Sequence, residues 1–299
     1  MAAALAALAI AGTLPAHAAA APVLERAEAA LEPGNGPVAP ASEPTVALRD
    51  LALRLDHLGP RDRRRAREIL ARPTSGNDPL GNNYAVPEEE PHCGAHFCVH
   101  YVASGDDAPS LDDDGGAAGV PDYVELVEAI AEQAYGIETG PLRWPAPKPD
   151  GSLGGAPGRI DIYLANVGGQ GIFGYAAPDP PPAQRCSRRC HAYLVLDNDY
   201  SPAEFEYADP TIPLAVTAAH ELNHVLQFGI DALQDGWLLE STAVWAEERV
   251  FPEADDWLNY IPAIAGTPGT PITDFEGANG LRVYGAAVWN HWLASGGGG

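Results

Sequence analysis

The chain has 299 residues, of which 46% are hydrophobic, so it is long enough and apolar enough to bury a substantial core. Its formal net charge of −24 excludes a surface that neutralises phosphates, which argues against nucleic acid as a partner. After the first twenty residues no apolar run reaches the length of a membrane span, so we expect no membrane-spanning segment in the mature chain.

The first residues have the features of an export signal. The stretch MAAALAALAIAGTLPAHA is uncharged and apolar, and it ends on Ala16-His17-Ala18, a small-x-small pattern suited to signal peptidase. We therefore predict a signal peptide over residues 1–18 and a secreted protein. The basic residues that usually precede the apolar part are missing, and an ordinary Ala-rich helix is the alternative.

Residues 19–80 are predicted to form a mobile pro-segment or linker with short helices outside the main domain. Residues 21–44 are rich in Pro and Gly, and residues 45–73 have a helical periodicity that is broken at Gly59-Pro60. The Arg-rich stretch 61–67 is suited to lie on the acidic remainder of the chain. A solvated charged helix is the alternative to a removable, basic pro-segment.

The main domain is predicted over residues 81–295, with strands first and helices after them. The predicted strands are HFCVHYV (96–102), RIDIYLANV (159–167) and HAYLVLDND (191–199), with a helix at 121–137 between the first two. The helices that follow are at 212–229, 237–251 and 284–294. Strands that precede helices favour an α+β fold. The Gly tail at 296–299 suggests a fragment of a longer protein.

Four cysteines fall in two close pairs, Cys93 with Cys98 and Cys186 with Cys190. In an oxidising compartment such pairs most often become disulfides, which agrees with export. The alternative is a structural zinc knot that includes neighbouring histidines: His92, His96 and His191. The spacings C-x4-C and C-x3-C are not usual for zinc ligands, so disulfides are favoured.

The segment HELNH, residues 220–224, has the spacing of a zinc site. On a helix, residues i and i+4 lie on the same face, so His220 and His224 can direct their ring nitrogens at a common point. A catalytic zinc site uses three protein ligands and leaves the fourth position to water. Glu221 can reach that water without binding the metal, as a general base must. The pattern arises by chance roughly 0.02 times in a chain of this composition; two histidines on a core-facing helix are the alternative.

A third ligand has to come from another element. Glu240 lies at the head of the next predicted helix, where a helix-turn-helix return brings it back towards His224. Glu247 and Glu248, about two turns further on, and His291 are the alternatives. We predict that Glu240 is the third ligand.

HELNH followed by WLLESTAVWAEE resembles the gluzincin class of zinc metallopeptidases, and within it the thermolysin-like and hyicolysin-like secreted bacterial enzymes. The similarity covers roughly residues 160–250. It implies a zincin-like fold, in which a twisted mixed sheet accompanies an active-site helix that is followed by a helical part. It also implies zinc ligands at His220, His224 and Glu240 and a base at Glu221.

The chain departs from this class at one position. Many gluzincins place an aspartate four residues after the ligand glutamate, where it orients a histidine, and this chain has Val244 there. Support for the histidine must then come from another group, with Glu247 as the candidate. Without such support the metal affinity falls by about 10- to 100-fold.

The function expected on this basis is that of a secreted zinc metalloendopeptidase made as a zymogen, acting as a monomer on protein or peptide substrates. Glu221 removes a proton from zinc-bound water as that water attacks the peptide carbonyl. The candidate donors for the oxyanion are Tyr284, Tyr260 and His291, and we select Tyr284. The predicted strand at 191–199 is expected to supply the sheet edge on which a peptide binds.

Two other functions fit the same sequence. One is a catalytically silent secreted binding protein that keeps the zincin fold, which the missing aspartate leaves open. The other is a disulfide-stapled surface module in which HExxH is accidental. Protease activity on casein and metal content distinguish the three.

The acidic stretch DDDGGAAGVPDYVE resembles a calcium loop of the EF-hand type. Counting Asp114 as position one puts Asp122 at nine and Glu125 at twelve, but positions three and five are Gly116 and Ala118, which supply no side-chain oxygen. Calcium binding is one interpretation. A turn that caps the following helix is the other and is favoured.

Overall fold

The computed structural model describes residues 21–32, 44–74, 83–274 and 281–296. The predicted signal peptide and the last three residues of the Gly tail lie outside these ranges. Within them the fold is α+β, as predicted, with a five-stranded mixed sheet and helices on both of its faces. None of the described helices is both long enough and apolar enough to cross a membrane.

The strands are β1 His92–Cys93, β2 Phe97–His100, β3 Ile160–Ala165, β4 Gly174–Pro178 and β5 Ala192–Asp197. Their order is β1-β2-β3-β5-β4, in which β2, β3 and β5 are parallel and the two outer strands are antiparallel to their neighbours. The three predicted strands are confirmed as β2, β3 and β5. The prediction that residues 191–199 form the free edge is wrong, because β4 pairs with the outer side of β5 and is itself the edge strand.

The helices are α1 Ala21–Leu31, α2 Pro44–Arg54, α3 Pro60–Ile69, α4 Asp122–Thr139, α5 Thr211–Asp231, α6 Gly236–Val250, α7 Ile261–Ala265, α8 Leu281–Gly285 and α9 Ala287–Ala294. Short 3-10 turns occupy Leu55–His57, Gly168–Gln170 and Asp256–Tyr260. The start of α5 is fixed by Asp209, whose Oδ1 accepts a hydrogen bond from the Thr211 backbone N–H at 2.9 Å. The helix then continues to Asp231, two residues beyond its predicted stop at Gly229.

One face of the sheet is covered by α4 and α5. Four apolar residues of α5 that the sequence predicts for the core are buried there: Leu222, Val225, Leu226 and Phe228. They pack with the side chains that β3 and β5 direct to this face, such as Ile162 and Leu194. Because each buried Leu, Val or Phe contributes about 1.5–3 kcal/mol, this core fixes the position of α5 against the sheet.

The opposite face is covered by α1, α2 and α3. Leu48 and Leu51 of α2 pack with Tyr163 and Tyr193, the side chains that β3 and β5 direct to this side. The prediction that the helices within residues 19–80 lie outside the main domain is therefore wrong, since they form the second half of its core. Because both faces of the sheet are covered, every residue of β3 and of β5 is buried.

A buried ion network fastens the end of this N-terminal part to the sheet. Arg72, just after α3, is 6% exposed and pairs with Asp150 at 2.8 Å, with Asp179 at 2.7 Å and with Asp161 of β3. Burial acts to raise the pKa of Asp179, but hydrogen bonds from His191 and Arg72 outweigh it and lower that pKa. The network holds the N-terminal helices in place by charge as well as by packing.

Both predicted cysteine pairs are joined, Cys93 to Cys98 and Cys186 to Cys190. The first disulfide links β1 to β2. The alternative of a zinc knot is wrong, because all four sulfurs are used in disulfides. His96 and His191 are instead hydrogen-bonded to the carboxylates of Glu132 and Asp179.

Candidate metal centre

The structure brings His220, His224 and Glu240 together in the interior between α5 and α6. The two histidines lie one turn apart on α5, and the four residues between the helices return the chain so that the start of α6 faces them. Glu240 Oε2 lies 3.1 Å from His220 Nε2 and 3.5 Å from His224 Nε2. One ligand atom from each of the three lies within 4.8 Å of the others. Glu248 and His291, the alternative ligands, do not belong to this group.

Each imidazole is held through its other nitrogen. His220 Nδ1 donates to Glu247 Oε1 at 2.5 Å, and His224 Nδ1 donates to Gln227 Oε1 at 2.8 Å. The remaining ring nitrogen of each histidine, Nε2, faces Glu240, and it is the atom that binds a metal once it carries no proton. Both rings are therefore oriented as metal ligands. Glu247 thus orients His220, although the position at which many gluzincins have an orienting aspartate is occupied by Val244.

Two atoms of the group lack a hydrogen-bond partner among the described residues. His224 Nε2 and Glu240 Oε1 are both buried and unpaired, although buried polar atoms are nearly always satisfied. A metal ion satisfies such atoms. The spacing also fits, since zinc bonds of about 2.0–2.1 Å in a tetrahedron place the ligand atoms about 3.3 Å apart. The residues present thus suit zinc in number, type and separation.

The electrostatics of the centre favour a cation. Burial opposes a charge on His220, yet its hydrogen bonds to Glu240 and Glu247 raise the pKa of the imidazole well above its usual value. Burial acts to raise the pKa of Glu240, but the neighbouring His224 and His220 lower that pKa to about 2. Burial raises the pKa of Glu247 to about 7 against the opposing effect of His220. The ionised carboxylate of Glu240 therefore stabilises a positive charge between α5 and α6.

Glu221 lies beside the ligand group without belonging to it. Its carboxylate interacts electrostatically with His220, His224 and Glu240, and it is 3% exposed. Burial raises the pKa of Glu221 above its usual value, although the two imidazoles oppose the shift. Its Oε2 accepts a hydrogen bond from the hydroxyl of Thr45, in α2, at 2.9 Å. Sequence reasoning missed Thr45, because 176 positions separate the two residues and no local signal connects them.

Of the three candidate oxyanion donors, Tyr284 is the one that contacts the ligand group. Its ring centroid is 5.8 Å from that of His220. The hydroxyl of Tyr260 donates to Asp256 at 2.7 Å, so that donor is already used. His291 stacks on Trp257 at 4.2 Å between ring centroids. The structure is thus compatible with the choice of Tyr284.

Behind His224 lies a buried polar chain that the sequence analysis did not identify. Gln227 Nε2 donates to Asn223 Oδ1 at 2.7 Å, and Asn223 Nδ2 donates to Glu138 Oε2 of α4 at 2.7 Å. Gln227 Nε2 also donates to the Leu239 carbonyl at 3.0 Å, which ties the start of α6 to α5. The i+3 spacing of Gln227 from His224 was the one sequence signal for this support. Glu138 gives no such signal in the sequence, because its partner Asn223 is on another helix.

The acidic loop does not form a ligand group. Asp122 and Glu125 accept backbone N–H groups of residues 114, 115 and 117, and Asp113 accepts that of residue 119. The carboxylates therefore close the turn before α4, in line with the interpretation of a helix-capping turn. Within the described ranges a second acidic group, Asp197 with Asp199 and Glu204, meets the distance criterion. Both oxygens of Asp197 are used by backbone N–H groups, and we assign no ion to it.

Comparisons with known proteins identify no relative. No protein-family model matches the chain, and neither a curated protein nor a solved structure matches it. The assignment of a function therefore depends on the chemistry of the site itself. That chemistry consists of two oriented imidazoles, a buried carboxylate that joins them, and a further carboxylate next to them.

Proposed function

We propose that the protein is a secreted zinc-dependent peptidase of the gluzincin type. The observation that carries the proposal is the convergence of His220, His224 and Glu240 on one buried point, with two of their ligand atoms otherwise unpaired. These three side chains would hold the zinc ion. When bound, zinc supplies a Lewis acid that polarises a carbonyl and acidifies a water molecule to a pKa of about 7.

Glu221 is the proposed general base. Its carboxylate is close enough to interact with all three ligand side chains but is held by Thr45 rather than by them. The burial that raises its pKa moves it towards the range in which a carboxylate can both take a proton from water and return it to a leaving amine. Tyr284, packed against His220, is the proposed donor to the oxygen that becomes negative.

The side of β4 that is not paired with a strand supports a peptide as the substrate. β4 pairs only with β5 among the described strands, so its other side offers backbone groups to an added strand. The Ala176 N–H points to this side, because it donates to the Thr45 hydroxyl rather than to β5. An extended peptide that adds to β4 would run past Glu221, which Thr45 also contacts.

Secretion is the proposed location. It is supported by the two disulfides, which persist in oxidising compartments, and by the export-like pattern of the first 18 residues.

The test is hydrolysis of casein and of fluorogenic peptides by the zinc-loaded protein, by Glu221→Gln and by Glu206→Gln, a control at an exposed glutamate. We expect Glu221→Gln to lose about 10²- to 10⁴-fold in rate while it keeps one zinc per chain. The control is expected to match the wild type. Undiminished hydrolysis by Glu221→Gln would overturn the proposed mechanism.

One observation favours a second candidate, a binding protein that keeps the fold without turnover. Glu221 is 3% exposed and its carboxylate is engaged by Thr45, so the described arrangement admits no substrate. A silent protein remains without activity when this contact is removed. A latent enzyme gains activity when the Thr45–Glu221 contact is removed. Variants of Thr45 and Arg49 therefore distinguish a silent binding protein from a latent enzyme.

A further inference from the structure

The candidate metal centre is covered by the chain itself. The exposed fractions are 7% for His220, 3% for Glu221 and 0% for both His224 and Glu240. A peptidase must admit a peptide bond to these groups. A hydrogen bond to Glu221 comes from the first turn of α2, residues 44–54.

Thr45 occupies two groups that a substrate needs. Its side chain is fully buried, and its Oγ1 donates to Glu221 Oε2 at 2.9 Å while it accepts the Ala176 N–H of β4 at 2.9 Å. The first contact uses the carboxylate of the proposed base. The second uses a backbone donor on the free side of the edge strand, where an extended peptide would pair. One hydroxyl thus joins the base to the strand edge.

Arg49, one turn further along α2, makes a second attachment. It is 4% exposed, and its Nη1 donates to the carbonyls of Ala232 at 2.7 Å and Gln234 at 2.8 Å, in the turn between α5 and α6. Glu240 and Asp235 are among the groups that interact electrostatically with its guanidinium. The first turns of α2 therefore extend from the edge of β4 to the α5–α6 turn, past the ligand group.

Packing holds α2 in this position. Val46 belongs to the core between the sheet and α5, whereas Leu48 and Leu51 belong to the core on the opposite face. The helix consequently bridges the two cores around the edge strand. Thr45 and Arg49 add hydrogen bonds to Glu221, to β4 and to the α5–α6 turn.

We propose that α2 is a built-in inhibitor, which occupies the substrate cleft and keeps the centre latent until its first turns move away. This inference rests on the proposed peptidase function and adds its regulation. The competing interpretation is that Thr45 permanently positions Glu221 for catalysis. The two interpretations predict opposite changes in activity, because loss of an inhibitory contact raises activity and loss of a positioning contact lowers it.

The experiment uses the full zinc-loaded chain with Thr45→Val, Arg49→Gln and the double variant. Thr74→Val and Arg54→Gln are matched controls, because both residues are exposed and lie in the same N-terminal part. Two rates are measured, zinc transfer to a chromophoric chelator and hydrolysis of a fluorogenic peptide. Zinc content and thermal unfolding are recorded for every variant.

We expect the double variant to release zinc and to hydrolyse peptide at least about tenfold faster than the wild type, as the loss of one or two net hydrogen bonds allows. Arg49→Gln alone should move both rates in the same direction, so the test stands if Thr45→Val does not fold. The controls should leave both rates unchanged.

The other outcomes separate the inhibitor from the peptidase. Slower hydrolysis with unchanged zinc release makes Thr45 a positioning residue and overturns the inhibitor. Unchanged rates in all variants also overturn it. Faster zinc release without hydrolysis by any variant keeps α2 as a cover of the centre and overturns the proposed peptidase.

Discussion

Replacing Glu247 by alanine is expected to weaken zinc binding by about 10- to 100-fold, although Glu247 is not a proposed ligand. Its Oε1 accepts the Nδ1–H of His220 at 2.5 Å in a buried setting. That hydrogen bond selects the tautomer whose Nε2 is free to bind a metal, and it makes the imidazole a stronger base. The expected loss is about 1.4–2.7 kcal/mol, which matches one hydrogen bond to a charged group.

The assay is a competition for zinc against a chromophoric chelator at a fixed neutral pH. Glu247→Gln keeps an acceptor for His220 without the charge and should fall between the wild type and Glu247→Ala. Glu248→Ala is the control, because the neighbours that affect Glu248 are Asp255, Arg249 and Glu253 rather than a histidine. Wild-type affinity in Glu247→Ala, or an equal loss in Glu248→Ala, would refute the reasoning.

Three further predictions concern the ligand and the buried charges. Glu240→Ala should fail to retain stoichiometric zinc on gel filtration, and retention would mean that another group is the third ligand. Arg72→Met should lower the free energy of unfolding by about 3–5 kcal/mol in denaturant titrations, because three buried carboxylates lose their cation, and a loss below about 1 kcal/mol would contradict the network. Arg185→Met, at an exposed arginine, should change it by less than about 0.5 kcal/mol. Burial raises the pKa of Glu138 to about 8, so the folded state binds an extra proton and its stability falls as the pH rises from about 4.5 to 8, by at most about 5 kcal/mol. Glu138→Gln should flatten this dependence in unfolding titrations from pH 5 to 8, and an unaltered slope would exclude Glu138 as its source.

Elements with a strong local signal were predictable from the sequence. The helix that carries HELNH has apolar residues at helical spacing, and its core residues Leu222 and Val225 are buried as expected. The three interior strands are β-rich apolar runs between turn residues. In these elements the periodicity of the sequence and the burial in the fold agree, because each element meets the core along its whole length.

Among the elements that the sequence did not predict, β4 and α1 were missed for physical reasons that the structure makes clear. The edge strand β4 has the sequence GYAAP, and Gly, Ala and Pro are poor strand formers, so its position depends on pairing with β5. Helix α1 lies at the start of residues 21–44, where many prolines and glycines indicate a mobile segment. The first eleven residues of that stretch contain no glycine, however, and they form the helix. The docking of α1, α2 and α3 on the sheet is a long-range property with no local pattern.

The candidate site was predictable only in part. The convergence of His220, His224 and Glu240 follows from helix geometry and one short turn, and both of these can be predicted from the sequence. The choice between Glu247 and Glu248 depends on the rotation of α6 about its axis, which the structure alone supplies. The contact between Thr45 and Glu221 depends on how two distant segments pack, and no spacing in the sequence encodes it.

Anomalous diffraction at the zinc edge, from crystals of the zinc-loaded protein, would locate the metal directly. We expect one strong peak bounded by Nε2 of His220, Nε2 of His224 and Oε2 of Glu240. A peak at any other set of side chains, or no peak among these three in crystals whose zinc content is stoichiometric, would contradict this expectation.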